Sequence, residues 1–205
     1  MGRSALIVVD AQNAFFDPRG SFARRGRALL RRRRTIQNIC DAITRAVHAN
    51  ILTVCTRLAF RPDYSDAGLL ITAIAPEIRV VQAYIDETWD AALITECTQI
   101  VDDRRIVLRK TGYDAFTGTA LHELLQANDT DRLVICGALT NVCVESTVRA
   151  AFEHGYLVRV VAEATTTYDA SLQEASLRTM ATHFAELVDV TNMLGSVPSP
   201  EPEQR

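Results

Sequence analysis

The chain has 205 residues, of which 48% are hydrophobic and 23% are charged, as in an ordinary globular protein. This length favours one domain, and the formal net charge of −3 argues against a nucleic-acid-binding protein, which is usually strongly basic. No apolar run approaches the roughly 20 residues of a membrane-spanning helix. The apolar segment 5–9 is too short for a signal-peptide core, so we expect a cytoplasmic protein. From the charge and the short apolar runs, we expect neither nucleic-acid nor membrane partners.

Short apolar runs rich in valine, isoleucine and leucine alternate with amphipathic helical patterns along the chain. Such continuous apolarity is typical of strands covered on both faces, as in a parallel sheet. Alternation of strand and helix predicts an α/β protein, a three-layer α/β/α sandwich with right-handed crossovers. The predicted strands lie at 5–9, 51–55, 106–108, 133–136, 157–161 and 187–190, and the predicted helices lie around 36–47, 121–125, 144–152 and 172–184.

Residues 57–105 form a long connection between two predicted strands. Long insertions of this kind commonly build lids and pocket walls, and we expect a helix within it around residues 89–95. The proline-rich residues 196–205 are predicted to be a disordered tail. The predicted domain therefore spans residues 1–195.

Arginines crowd residues 24–34. A phosphate-binding patch is one interpretation of this run. The chain also has 25 acidic residues, which favours the other interpretation, a solvated helix face with paired charges.

The cysteines and histidines match no metal or disulfide pattern. The five cysteines are an odd number, widely spaced and without a Cys-x-x-Cys pair, and the four histidines are scattered. We therefore expect reduced thiols and neither a metal nor another cofactor. The cysteines are Cys40, Cys55, Cys97, Cys136 and Cys143.

Lys110 is the only lysine among 22 basic residues. It either survived by chance in an arginine-biased composition or occupies a site that needs a compact ammonium group, which arginine cannot replace.

Three reactive side chains follow predicted strands at the end where α/β folds bind ligands. Asp10 follows the first strand, Lys110 the third, and Cys143 lies beyond the fourth, where a helix begins. The helix N-terminus and a nearby ammonium are expected to lower the pKa of the thiol, and Asp10 is a candidate general base. Taken singly, these residues also fit a helix cap, a salt bridge and a packed core thiol.

Three segments carry a resemblance to a known family. Residues 8–16 read VVDAQNAFF, residues 109–116 read RKTGYDAF, and residues 137–147 read GALTNVCVEST. In this order and spacing they resemble the isochorismatase-like cysteine hydrolases, and the resemblance extends over roughly residues 4–194.

The resemblance implies a six-stranded parallel sheet and a catalytic triad of Asp10, Lys110 and Cys143. It also implies a cis peptide bond between Ala138 and Leu139, and an oxyanion hole formed by the N–H groups of Leu139 and Cys143. A homo-oligomer, either a dimer or a tetramer, is expected from the same likeness.

Within the family, residues 140–149 look most like the ureidoacrylate and biuret amidohydrolases, whose substrates are small carbamoyl compounds. Residues 56–63 lack the Asp-x-His metal motif of nicotinamidases, and residues 163–168 lack a glutamine found in the amidohydrolase branch. We therefore predict a hydrolase that cleaves a C–N bond of a small amide or ureido compound through a thioester on Cys143, releasing ammonia. An isochorismatase- or nicotinamidase-type hydrolase and a non-catalytic thiol sensor are the alternatives.

Five residues near the predicted strand ends are candidates for binding the substrate. Arg57 could bind a substrate carboxylate or form a salt bridge with Asp63 or Asp66, and Trp89, the only tryptophan, suits a pocket wall. The candidates are Asn13, Phe16, Arg57, Trp89 and Tyr113.

Overall fold

The computed structural model describes residues 3–195. Its six strands form one all-parallel sheet in the order β3-β2-β1-β4-β5-β6. This confirms the predicted six-stranded parallel sheet; the predicted disordered tail lies outside the described residues. The strands are β1 (Arg3–Val9), β2 (Leu52–Leu58), β3 (Arg105–Lys110), β4 (Thr130–Ala138), β5 (Leu157–Thr166) and β6 (Glu186–Val188).

Helices connect the strands, and the four predicted around residues 36–47, 121–125, 144–152 and 172–184 are all present as α3, α6, α7 and α8. Five-residue π-helical turns occur at Leu70–Ile74 and Thr140–Val144. Within the described residues, none of the helices is both long and apolar enough to cross a membrane. The α-helices are α1 (Asn13–Phe16), α2 (Ser21–Arg24), α3 (Arg32–His48), α4 (Glu77–Val80), α5 (Thr95–Thr98), α6 (Leu121–Ala127), α7 (Glu145–Glu153) and α8 (Ala170–His183).

The central strand β1 separates two hydrophobic cores. Leu6 and Val8 point into a core that includes the apolar face of α3. Ala5, Ile7 and Val9 point into the other, which includes α6, α7 and part of α8. Because successive side chains of a strand alternate between faces, a strand buried on both sides is apolar throughout. The three-layer sandwich follows from this pattern.

Gly137, near the end of β4, lies directly beside the end of β1. It pairs with Val9 in the sheet and has φ = +122°, and a Cβ atom there would lie 2.0 Å from the Val9 carbonyl oxygen. Only glycine tolerates this approach. It brings the turn after β4 against Asp10, the next residue of the β1 chain.

We predict that Gly137→Ala destabilises the protein by about 2–3 kcal/mol, because the added methyl overlaps main-chain atoms that cannot move aside easily. Urea unfolding measures the change. Gly118→Ala is the matched control, since Gly118 also has a positive φ but open space around the position of a Cβ. Equal losses of stability in the two variants would show that the contact with Val9 is unimportant.

The predicted helix at residues 89–95 is wrong. Residues 89–94 form turns and an isolated bridge, and α5 begins only at Thr95. The carbonyls of Asp90 and Ala92 accept hydrogen bonds from the N–H groups of Ala14 (2.8 Å) and Asn13 (2.9 Å). These tertiary bonds replace the i to i−4 bonds that a helix would need.

Candidate active site

Asp10 lies at the carboxyl end of β1 and is completely buried. Its backbone is in the left-handed region, with φ = +49°, a conformation that is costly for a non-glycine residue and is common at functional sites. Thr56 of β2 holds it: the Thr56 hydroxyl donates to Asp10 Oδ1 (2.7 Å) and accepts from the Asp10 N–H (3.2 Å). The carboxylate is therefore fixed in one orientation.

Lys110 ends β3, and its side chain is fully buried. Its Nζ lies 2.7 Å from Asp10 Oδ2 and donates to the carbonyls of Gly112 and Tyr113, each at 2.9 Å. Burial lowers the pKa of Lys110, but its interactions with Asp10 and Cys143 outweigh that effect, so the pKa is raised above its ordinary value. Lys110 is thus a cation at neutral pH that pairs with the Asp10 carboxylate and donates to two main-chain carbonyls.

Cys143 lies in the π-helical turn between β4 and α7 and is 2% exposed. Burial raises the pKa of its thiol to about 12; Lys110 acts to lower it and Asp10 acts to raise it. The expected lowering of this pKa is wrong, because the sequence argument included the ammonium and the helix end but not the burial or the adjacent carboxylate. In the ligand-free protein the thiol keeps its proton at neutral pH.

The thiol borders a cavity of about 90 Å³. Leu139 and Cys143, whose N–H groups are the predicted oxyanion hole, both line it, and the Ala138–Leu139 peptide bond is cis, as the resemblance implied. Leu70 and Tyr84 also line the cavity, so the long segment 57–105 supplies part of its wall. The site therefore combines a buried ion pair, a protonated thiol and room for a small molecule.

Of the five candidates for substrate binding, only Tyr113 lines this cavity. Asn13 is buried and donates from Nδ2 to the Trp89 carbonyl (2.8 Å), a structural contact. Phe16 is 1% exposed and belongs to the hydrophobic core on the α3 side of the sheet. Its neighbour Phe15 lines the cavity instead.

Arg57 and Trp89 also lie away from the cavity. Arg57 forms an ion pair with Asp86 (2.8 Å) and not with Asp63 or Asp66. Trp89 is 46% exposed, and the Arg19 guanidinium lies 5.1 Å from its ring. Both side chains have local partners that account for their positions without a substrate.

Sequence reasoning missed Gln12, although it lies inside the first motif. Its side chain is fully buried; Nε2 donates to the carbonyls of Leu58 (3.0 Å) and Ala91 (2.8 Å), and Oε1 accepts from the Leu58 N–H (2.9 Å). One side-chain amide thereby joins the residues after β1 to the end of β2 and to the Ala91 carbonyl. A glutamine two residues after the aspartate, just beyond the apolar run 5–9, was the available signal.

The interpretation of the arginine run as a solvated helix face is wrong for Arg25. Helix α2 ends at Arg24, and the Arg25 side chain is only 7% exposed because it turns into the wall of the cavity. Arg27 lines the same cavity. These two positions could not be separated from the rest of the run by composition.

The fold and the site define a class of protein: an α/β enzyme with a carboxylate, an ammonium and a thiol gathered at the carboxyl edge of a parallel sheet. Residues 4–192 match the isochorismatase domain family, and the chain belongs to that family. Within residues 3–195, no three side chains of histidine, cysteine, aspartate or glutamate are grouped so as to hold a metal ion.

Individual relatives agree with this assignment. The ureidoacrylate amidohydrolase RutB of Methylorubrum extorquens is 33% identical, over 97% of this chain and 84% of its own length. The enzyme of the same name from Cronobacter sakazakii is 32% identical, over 97% and 90%. A crystal structure of a cysteine hydrolase from Pseudomonas syringae pv. phaseolicola is 26% identical, covers 93% of this chain and 90% of its own, and superposes with a TM-score of 0.82. The predicted family and fold are confirmed.

Proposed function

We propose that the protein is a cysteine-dependent amidohydrolase that cleaves a C–N bond of a small amide or ureido compound and releases ammonia. The observation that carries this proposal is the buried Asp10–Lys110 pair next to the Cys143 thiol at a small cavity. The ureidoacrylate amidohydrolases among the relatives support the ureido class of substrate.

In the first half of the reaction, Asp10 takes the thiol proton while Cys143 Sγ attacks the substrate carbonyl. Apart from its ion pair with Lys110, Asp10 Oδ2 has no hydrogen-bond partner in the described residues, so it can accept that proton. The N–H groups of Leu139 and Cys143 stabilise the tetrahedral oxyanion. The C–N bond then breaks, ammonia leaves with the proton held by Asp10, and a thioester remains.

In the second half, Asp10 takes a proton from water, and the hydroxide formed attacks the thioester. The C–S bond breaks, the sulfur regains a proton from Asp10, and the carboxylic or carbamic acid product leaves. The raised pKa of Cys143 makes Asp10 necessary in each cycle, because the thiol does not ionise unaided at neutral pH.

Lys110 lowers the free-energy cost of this charge movement in the buried site. When the proton passes from sulfur to Asp10, the negative charge moves to sulfur, and the ammonium remains paired with an anion throughout. An isolated charge in such an environment would be strongly unfavourable. Catalytic roles for Asp10, Lys110, Cys143 and Leu139 are all part of this proposal.

The test is ammonia release from a panel of small amides and ureides, with wild type beside Cys143→Ala. The panel holds ureidoacrylate, N-carbamoyl-β-alanine, biuret, nicotinamide and simple aliphatic amides. We expect release from a ureido compound and a loss of about a thousandfold or more in Cys143→Ala, as when a catalytic nucleophile is removed. Cys136→Ala, which also removes a buried thiol but not one at the cavity, should remain active.

Retained turnover in Cys143→Ala would contradict the proposal. If nicotinamide were the only compound hydrolysed, the proposed ureido substrate would be wrong, but the proposed reaction at Cys143 would stand. The alternative of a thiol sensor is disfavoured, because such sensors need an exposed thiol of low pKa, whereas Cys143 is buried and its pKa is raised.

For localisation and oligomeric state we keep the predictions from the sequence. We propose a cytoplasmic homo-oligomer, a dimer or a tetramer, that acts on a small molecule. All five cysteines are free, the state of thiols in a reducing compartment.

A further inference from the structure

The cavity beside Cys143 has an unbalanced charge. Its lining residues include two arginines, Arg25 and Arg27, but no aspartate or glutamate. The remaining lining side chains are apolar or aromatic, apart from the Cys143 thiol. A small molecule in contact with the thiol therefore lies beside two positively charged side chains in a mostly apolar cavity. Electrostatic interactions in such surroundings are stronger than in water.

Arg25 is buried without full use of its hydrogen-bond donors. Its side chain is 7% exposed; Nη2 donates to the Tyr84 hydroxyl (2.9 Å) and Nη1 to Glu77 Oε1 (3.4 Å). The Nε–H is buried and has no partner among the described residues. Buried donors in native proteins are nearly always paired, so the protein itself does not fully satisfy the Arg25 guanidinium.

The Glu77 carboxylate offsets the positive charge of this site only in part. Its side chain is 46% exposed, and the 3.4 Å contact with Arg25 is long for a charge-assisted hydrogen bond. Arg27 has no acidic side chain within 4 Å in residues 3–195; its guanidinium lies 5.1 Å from the Tyr168 ring centroid. One buried and one exposed guanidinium thus remain available at the cavity.

The segment that carries the arginines is held in place by buried hydrogen bonds. Asp90 accepts from the Ser21 N–H and hydroxyl, each at 2.8 Å, and from the Tyr84 N–H at 2.9 Å. These bonds join the start of α2 to the segment that supplies Tyr84, the partner of Arg25. The position of Arg25 is therefore built into the fold, as a preorganised binding group requires.

We propose that Arg25, assisted by Arg27, binds a carboxylate of the substrate, so that the enzyme selects amide or ureido compounds with an acidic group distal to the scissile carbonyl. A planar guanidinium matches the two oxygens of a carboxylate, and Arg25 and Arg27 line the cavity that the Cys143 thiol borders. This inference rests on the proposed function only in that the carbonyl end of the substrate is assigned to Cys143.

The test compares an acid with its neutral counterpart: N-carbamoyl-β-alanine and the N-methylamide of its carboxyl group. In Arg25→Met we expect the KM of the acid to rise about 10- to 100-fold, the loss of a charged hydrogen-bonded pair, while values for the methylamide change less than about threefold. Arg24→Met is the matched control, since Arg24 is exposed, adjacent and outside the cavity lining. Arg25→Lys keeps the charge, should fold if Arg25→Met does not, and should raise only the KM of the acid.

Binding of N-carbamoyl-β-alanine to Cys143→Ala, measured by calorimetry, separates this inference from the proposed function. If turnover depends on Cys143 but the Arg25→Met change alters neither the KM nor the binding affinity of the acid, the amidohydrolase activity stands and the carboxylate subsite is refuted. If no turnover is found but binding weakens 10- to 100-fold in Cys143→Ala/Arg25→Met, the subsite stands without the proposed reaction. Absence of binding by the acid also refutes the subsite.

Discussion

Lys110→Arg is expected to lower kcat/KM by about a hundredfold to a thousandfold, although it keeps the positive charge. The Lys110 ammonium forms an ion pair with Asp10 Oδ2 and donates to the Gly112 and Tyr113 carbonyls. A guanidinium is planar and larger, so it cannot satisfy this arrangement within a fully buried site. This is a physical reason for the single lysine in a chain whose other basic residues are all arginine.

Lys110→Met keeps the approximate volume of the side chain but removes the charge. It leaves the buried Asp10 carboxylate without a counterion, and breaking a buried pair in this way costs about 3–5 kcal/mol. The double variant Asp10→Asn/Lys110→Met has no uncompensated charge, so it should recover much of that stability while remaining inactive. Chemical denaturation and ammonia release together distinguish the two effects.

A stable Lys110→Met protein with near-normal kcat/KM would show that the ammonium is neither a structural nor a catalytic requirement. Loss of stability without recovery in the double variant would mean that the two carbonyl contacts, and not the charge of Asp10, make Lys110 necessary.

The sheet could be predicted from sequence because each of its strands can be recognised from its own short stretch of residues. A parallel strand buried on both faces is a continuous apolar run, and the rule that ligands lie beyond the carboxyl ends then places Asp10 and Lys110 together. Their ion pair at 2.7 Å agrees with that expectation. The lengths of the strands could be predicted less well, because β4 and β5 continue in the sheet through polar residues such as Arg132 and Thr165.

The walls of the cavity could not be predicted, because contacts between distant residues decide them. Arg25 reaches the cavity from a segment that Asp90 anchors across 69 residues of sequence. Arg57, by contrast, is drawn away to Asp86. Of the two, only Arg57 was expected near the binding edge, and no local pattern shows that Arg25 is the arginine that lines the cavity.

The pKa of Cys143 was misjudged for a related reason. The helix start and the ammonium are visible in the sequence, and both lower the pKa of a thiol. The depth of burial is a property of the whole fold, and it is the largest influence here. The correction changes the expected chemistry, since a protonated thiol needs Asp10 as its base.

Cys143 is consequently expected to react with iodoacetamide at pH 7 about three orders of magnitude more slowly than an ordinary exposed thiol of pKa near 8.5. With a pKa of about 12, its thiolate fraction and its alkylation rate should still rise about tenfold per pH unit from pH 7 to 10, where an ordinary thiol reaches a plateau. Half-buried Cys40, whose pKa is lowered by a hydrogen bond from Cys97, should be modified first.

The sign of the Asp10 effect makes this test specific. Asp10 acts to raise the pKa of Cys143, and Lys110 acts to lower it. Asp10→Asn should therefore speed alkylation of Cys143 at pH 7 while abolishing turnover, and Lys110→Met should slow it. Peptide mapping by mass spectrometry across the pH range follows each cysteine separately. A plateau in the wild-type Cys143 rate below pH 9 would mean that the thiol is already activated in the ligand-free enzyme, and that Asp10 is not needed to remove its proton.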